Sequence, residues 1–354
     1  MSVSDRDSRL PESVAGLSYH RTVDRTLIHR HHLTEVFLTD IERTGEDTFV
    51  AAALLPAVHS HYTSQTAQAV LRHLDPMLLL ECCRQAETAA AHLHHGVDRD
   101  TSFVLRNWSM ELTGKVPGSL SQPAPLSTEL VMTATTHDTR HRAGRLSGLG
   151  YTFTLWASGV RLGEVRMDVG YVAGAAYRVM RRRGRTGPPP SSDSPLPAAR
   201  GAAVDPALVG RLHTKDTLLL DAVAGPAACT AALRVAADNP SLFDHPQDHV
   251  PGMVLVEAAR QLAAFAVAQW DGPSPDRTVM VGMRAAFSAY AELDAPVTMT
   301  ASRQRERGVE VTFAQNGAAI SQVQIQLAPL PADGEFDERT DVAGTVATAP
   351  VRGR

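Results

Sequence analysis

Two clusters of polar side chains recur along the chain at matched spacing. Glu81, Arg84 and Gln85 form one, and Glu257, Arg260 and Gln261 the other, an offset of 176 residues from Glu81 to Glu257. In each, Arg follows Glu by three positions and Gln follows it by four, which on a helix sets all three on one face. A carboxylate and a guanidinium on an apolar helix have two physical uses. One is a buried ion pair that fixes the orientation of the helix. The other is a pair of related sites, in which the carboxylate moves a proton. Identical placement in both copies suits the second use better. A third group lies just ahead of the second cluster, in the stretch Asn239-Pro240-Ser241-Leu242-Phe243-Asp244-His245-Pro246-Gln247-Asp248-His249-Val250-Pro251-Gly252. His245 offers an imidazole, and a helix opening at Gly252 offers free amides and a dipole that stabilise a developing oxyanion.

These residues need helices to carry them. From Met77 to Leu93 no Gly or Pro interrupts an Ala- and Leu-rich run, and Gly96 lies just past its end. The second run starts after Pro251-Gly252 and reaches Trp270, ahead of Asp271-Gly272-Pro273. Both are apolar nearly all round, which predicts burial. Strand patterns follow each. Tyr151, Phe153 and Leu155 alternate with polar residues, Ser158-Gly159 turns the chain, and Val165, Met167 and Val169 resume. In the second half Val309, Val311 and Phe313 lead through Asn316-Gly317 to Val323, Ile325 and Leu327. VFLTD at Val36–Asp40 matches TLLLD at Thr217–Asp221, so the duplication extends upstream of the helices. The predicted class is α+β, a tandem (double) hotdog in which each long central helix is wrapped by an antiparallel sheet. The expected modules are 20–180 and 207–330. Between them 181–206, with an Arg run and a Pro/Ser/Ala/Gly tract, reads as a linker whose Arg end is solvated, and 331–354 as a mobile tail. The two helices are expected side by side with the sheets joined at their edges, which removes two exposed edges.

Composition excludes several classes. The net charge is −4, so phosphate-driven nucleic-acid binding is not expected. Charged residues make up 20% and hydrophobic ones 44%, the balance of a soluble globular chain. No apolar run reaches the ~18–20 residues of a membrane span. The polar N-terminus lacks a secretory core. Cys82, Cys83 and Cys229 make neither a disulfide framework nor a zinc CxxC, which together predict a cytoplasmic protein. Walker A, GxSxG, HExxH and dinucleotide-binding glycine motifs are absent. The histidine clusters at His29, His31 and His32 and at His92, His94 and His95 lack supporting Cys or carboxylate spacing. They read as surface histidines, with no metal expected.

The His-Pro loop, the Pro-Gly pair and the buried helix with Glu in its second turn resemble the hotdog dehydratases that act on acyl carrier protein thioesters. In those enzymes His and Glu form the catalytic pair and the helix N-terminus faces the thioester carbonyl. The spacing from His245 to Glu257 is shorter than theirs. A narrower resemblance covers most of the chain, to the A-factor biosynthesis family, the gamma-butyrolactone autoregulator synthases of actinomycetes. It rests on HRHHLTEVFLTD (His29–Asp40), PAVHSHY around His59 and His61, DPMLLLECCRQA (Asp75–Ala86) and FDHPQDHVPGMVLVEAARQ (Phe243–Gln261). The chain departs from the family at His61, where an aromatic residue is usual, and at Cys82-Cys83, which replace apolar residues.

The resemblance implies an acyltransferase that moves a beta-ketoacyl group from acyl carrier protein to the hydroxyl of dihydroxyacetone phosphate. The ester then condenses towards a butenolide or, with other downstream enzymes, a furan. On this reading Glu257 or Glu81, with a raised pKa, is the base. Arg260, with Arg84 second, clamps the phosphate, and Gln261 and Gln85 complete the substrate-binding set. The thioester carbonyl sits by Gly252, and His245 orients the base or protonates the leaving thiolate. Neither cofactor nor covalent nucleophile is expected, and Cys82 and Cys83 read as packing residues. The duplication supplies the helix pairing that single hotdogs obtain by dimerising, so a monomer or a homodimer of double hotdogs is expected. Rival readings on the same fold are a thioester dehydratase or thioesterase, or a non-catalytic acyl or autoregulator binder.

Overall fold

In the computed structural model, which describes residues 10, 14–65, 74–113, 127–197, 201–270, 272–304 and 308–330, the first long helix is α1, Pro76–His95. Asp75 sets its start: its Oδ1 accepts from the Met77 and Leu78 N–H groups, and Pro76 occupies the first turn, where a missing donor costs nothing. Gly96, at φ 64°, closes the other end in the left-handed conformation that a side chain would strain. A short amphipathic helix, α2, spans Gly174–Arg182. The second long helix, α3, spans Gly252–Gln269, and no side chain caps its N-terminus. That difference between α1 and α3 is used below.

Among the described residues twelve strands form one antiparallel sheet. The first half contributes β1 (Leu38–Arg43), β2 (Thr48–Pro56), β3 (Thr101–Leu112), β4 (Ser127–Arg142), β5 (Arg145–Ala157) and β6 (Val160–Ala173). The second contributes β7 (Leu219–Ala224), β8 (Ala228–Leu233), β9 (Thr278–Phe287), β10 (Val297–Arg303), β11 (Gly308–Gln315) and β12 (Ala318–Pro329). Their order is β1-β2-β4-β5-β6-β3-β9-β12-β11-β10-β8-β7, so one half mirrors the other in sequence about the β3–β9 pair. There Trp108 lies opposite Ala285 and Met110 opposite Met283, and the two sheets become one. The expected edge-to-edge joining is therefore observed. Ser158-Gly159 and Asn316-Gly317 turn their hairpins with positive φ at both residues, as two-residue turns with right-twisted strands require. The remaining edges, β1 and β7, are short and irregular in register, which blunts them against further pairing.

The sheet curls around the helices. Strands β7 to β12 all touch α3, β1, β2 and β5 touch α1, and the two helices touch each other. Alanines such as Ala86, Ala90, Ala259 and Ala263 are fully buried on them. Small side chains there let sheet and helix approach closely while burying apolar surface at about 25 cal/mol per Å².

Two members of the Arg run, Arg181 and Arg185, depart from the expected solvated state, while Arg182 and Arg183 keep it. Arg181 is buried at the end of α2, ion-paired with Asp248 and Glu292, and Arg185 pairs with Glu292 and Asp294. Acidic residues from the second half attract this segment, and those partners are invisible to local composition. The stretch read as a mobile tail, 331–354, lies outside the described residues.

Candidate active site

The two polar triplets sit in two related networks. In the first half, a 3-10 turn at Arg25–Ile28, capped by Asp24, delivers Arg30 to α1. Glu81 accepts from Arg30 and from Arg84 (Nε to Oε2 and Nη2 to Oε1, both 2.8 Å), while the Gln85 amide donates to it at 2.8 Å. In the second half, the turn at Pro206–Val209, capped by Asp205, delivers Arg211 to α3. Glu257 accepts from Arg211 (3.0 Å), Arg260 (2.8 and 2.9 Å) and Gln261 (2.6 Å). Each Gln also holds the start of an edge strand. Gln85 Oε1 accepts from the Phe37 and Leu38 N–H groups, and Gln261 Oε1 accepts from the Leu218 N–H.

The expected raised pKa is overturned for both glutamates. Burial alone would push Glu257 up, but Arg211 and Arg260 outweigh it and hold the carboxyl far below its usual range. Burial likewise raises Glu81, and Arg30 with Arg84 bring it down to about 2. A carboxylate facing two guanidinium groups is a poor proton acceptor near neutrality.

The halves differ in how closed these networks are. Every guanidinium nitrogen of Arg211 and Arg260 has a partner: Arg211 Nη1 donates to the His61 carbonyl and Arg260 Nη1 to Gln65 Oε1. In the first half Arg30 Nη1 has no partner among the described residues, and Arg84 Nη1 has only a long contact to Thr88, 3.4 Å. Arg30 and Arg84 line a cavity of about 740 Å³; Glu257, Arg260 and Gln261 do not line it, nor do Glu81 and Gln85.

That cavity gathers groups from both halves. Gly252 and Met253, the first residues of α3, lie on its wall beside Leu105 of β3 and Phe287 of β9. A Cβ on Gly252 would stand 2.6 Å from the Leu105 side chain and 3.2 Å from the Phe287 ring, so a larger residue here would push the Leu105 side chain aside. With no side-chain cap, the opening amides of α3 keep their donors and the positive end of the dipole for something in the cavity. At α1 the position of Gly252 is held by Pro76, which has no N–H, and the donor of Met77, the counterpart of Met253, is taken by Asp75.

His245 lines the same cavity. Its Nδ1 is 3.3 Å from Asp244 and its Nε2 is 2.6 Å from the Gln247 side-chain amide. Asp244 also accepts the backbone N–H groups of His31 and His32, so a first-half loop fixes the carboxylate that orients a second-half imidazole.

Two cavity residues lie outside the sequence expectations. Glu87, six residues along α1 from Glu81, accepts from the hydroxyls of Thr88 (3.1 Å) and Tyr171 (3.3 Å). Burial pushes it up to about 7, against the opposing pull of Arg84 and both hydroxyls. The elevated proton affinity expected of Glu81 or Glu257 is found at Glu87. His29 is half-buried, not on the surface, with Nε2 2.9 Å from His92 Nε2. Burial, then His92 and Arg84, lower it to about 3, which keeps the ring neutral. It adopts φ 53°, where its counterpart is Gly210. Cys82 and Cys83 are fully buried with thiols pushed well up by burial, as packing residues should be. His61, the family departure, bonds Asp216 at 2.8 Å and joins the two halves.

Residues 13–173 and 192–331 match the A-factor biosynthesis hotdog domain, AfsA. The chain is 36% identical to the 2-oxo-3-(phosphooxy)propyl 3-oxoalkanoate synthase of Streptomyces virginiae, over 84% of this chain and 95% of that one. It is 30% identical to a synthase of the same name from Streptomyces coelicolor, over 79% and 82%. Among solved structures, the pyran synthase domain from module nine of the sorangicin pathway aligns at TM-score 0.47 and 15% identity, covering 86% of this chain and 100% of that one.

Proposed function

The chain belongs to the A-factor biosynthesis hotdog family, and from that membership we propose that it esterifies dihydroxyacetone phosphate with a beta-ketoacyl group. The relatives' shared name describes that product, a 3-oxoalkanoate ester of a 2-oxo-3-(phosphooxy)propyl unit. We take the donor to be an acyl carrier protein thioester and the setting to be the cytoplasm, with no nucleic-acid partner. The double hotdog acts as a monomer or homodimer. Among the described residues no helix is long and apolar enough to cross a membrane.

The carrying observation is that the uncapped start of α3 and the open side of the Arg30–Glu81–Arg84 cluster share one cavity. The thioester carbonyl takes the Gly252 and Met253 amides, which stabilise the oxyanion as it forms. Arg84 and Arg30 hold the acceptor phosphate. Glu87 takes the proton of the attacking hydroxyl; the new C–O bond forms, the C–S bond breaks, and His245 gives a proton to the departing thiolate. Glu81, Glu257, Arg260, Gln85 and Gln261 serve by positioning Arg84, the strand starts and the helices. Mass spectrometry of a reaction of beta-ketoacyl carrier thioester with dihydroxyacetone phosphate should detect the phosphorylated ester. Free beta-keto acid alone would indicate a thioesterase, and binding without turnover a non-catalytic acyl binder.

The phosphate role gives a separate expectation. Arg84→Lys should raise KM for dihydroxyacetone phosphate by about 10–100-fold, the loss of a charge-assisted fork, and affect unphosphorylated dihydroxyacetone far less. Arg260→Lys should leave the preference for the phosphorylated acceptor unchanged. Steady-state kinetics with both acceptors checks this, and an equal penalty on both from Arg84→Lys would remove the clamp.

A further inference from the structure

We propose that α2 and the residue after it form the docking surface for the carrier protein, an acidic partner, at the mouth of the cavity; this rests on the acyl-transfer reading. The inner face of α2 is fastened to the cavity rim. Tyr177 donates to Asp248 at 2.9 Å, Arg181 donates to Asp248 at 2.9 Å and to Glu292 at 2.7 Å, and the Arg181 guanidinium lies 4.2 Å over the Tyr290 ring. Tyr177, Asp248 and Tyr290 themselves line the cavity. The chain after α2 stays at that rim, with the Ser192 N–H donating to the Gln247 carbonyl and the Gln247 N–H to Ser192 Oγ.

The outer face has the opposite character. Arg178, Arg182 and Arg183 are exposed and make no ion pair among the described residues, in contrast to Arg181 and Arg185. Val179 is 73% and Met180 41% exposed beside them. Three unspent guanidinium groups around two apolar side chains, on a chain of net charge −4, make a local surface of reversed sign. Such a patch attracts an acidic protein and sets its approach. Its place at the rim puts a docked carrier where its thioester arm can enter towards Gly252. A bilayer fits less well, because α2 has nine residues and little apolar area free on its outer side.

The test is the triple variant Arg178→Glu, Arg182→Glu, Arg183→Glu in the full chain, assayed with beta-ketoacyl carrier thioester and with beta-ketoacyl pantetheine thioester. KM for the carrier substrate should rise by about 10-fold or more and lose its salt dependence, while kcat/KM for the pantetheine thioester stays that of the parent. Equal loss with both donors, or no loss with either, overturns the proposal. Fluorescence anisotropy of labelled carrier follows docking without turnover. If the parent binds the carrier through these arginines yet forms no ester, docking stands and the acyl-transfer reading fails. Binding of the parent to phosphatidylglycerol vesicles, abolished in the variant while carrier binding is unchanged, would assign the surface to a membrane and overturn the carrier role.

Discussion

Replacing Glu87 by Gln should slow acyl transfer by about 10²–10⁴-fold, the usual contribution of a positioned base, and should erase the acid limb of the pH profile. The carboxyl sits in a nearly closed part of the cavity wall, held by two hydroxyls, and burial pushes its pKa up to about 7. The base works as the carboxylate, so the parent rate should be full above that pH and fall about tenfold per unit below it. The fold responds with a different sign. Because the folded pKa of Glu87 is raised, its contribution to stability is present at low pH and lost as pH rises through about 7. Glu81 is depressed to about 2, so its contribution is present above the ordinary carboxylate range and fades as pH falls towards that value. Activity should therefore drop between about pH 7 and 5 with the near-UV circular dichroism intact. Loss of rate and of that signal together, or an unchanged acid limb in Glu87→Gln, would remove Glu87 as the base.

Much of the frame was legible from residues that act locally. Asp75-Pro76 and Gly96 bound α1 through backbone chemistry that any helix obeys, and Asn316-Gly317 supplies the two positive φ values of its hairpin. The repeated Glu-x-x-Arg-Gln revealed the duplication because each triplet lies within one helical turn. Its protonation state was not legible, because the deciding charges come from elsewhere: Arg30 lies 51 positions before Glu81, and Arg211 46 before Glu257. A trace of them existed in the upstream match of VFLTD to TLLLD, which extended backwards pairs Arg30 with Arg211 and Glu35 with Asp216. Glu87 was hidden for the converse reason. The position equivalent to it in the second helix is Ala263, so a search for repeated residues passes over it. What distinguishes the two halves is therefore least visible to a reading built on their likeness. The same holds for Asp244, which matters only because His31 and His32 reach it across 213 and 212 positions.

Glu257→Gln separates the two uses of a buried carboxylate most sharply. Among the described residues Glu257 is the only anion bonded to both Arg211 and Arg260, each buried, with Gln261 as a fourth member. Removing its charge leaves two guanidinium groups in a closed site with an amide that can accept only part of their hydrogen bonds. Breaking a buried pair in this way costs about 3–5 kcal/mol, a large share of the ~5–15 kcal/mol that holds a typical domain folded. The second half should also loosen locally, since Gln261 aligns Leu218 with the start of β7 and Arg211 carries the His61 link to the first half. The midpoint of urea unfolding should fall accordingly, whereas the rate per folded molecule, normalised by active-site titration, should stay within a few-fold of the parent. Glu257→Gln combined with Arg211→Leu tests the cause, because taking out one of the stranded charges should recover part of the lost stability. The opposite pattern, an unchanged unfolding midpoint with a hundredfold slower chemical step, would return the role of base to Glu257 and move the reacting centre to the second-half network.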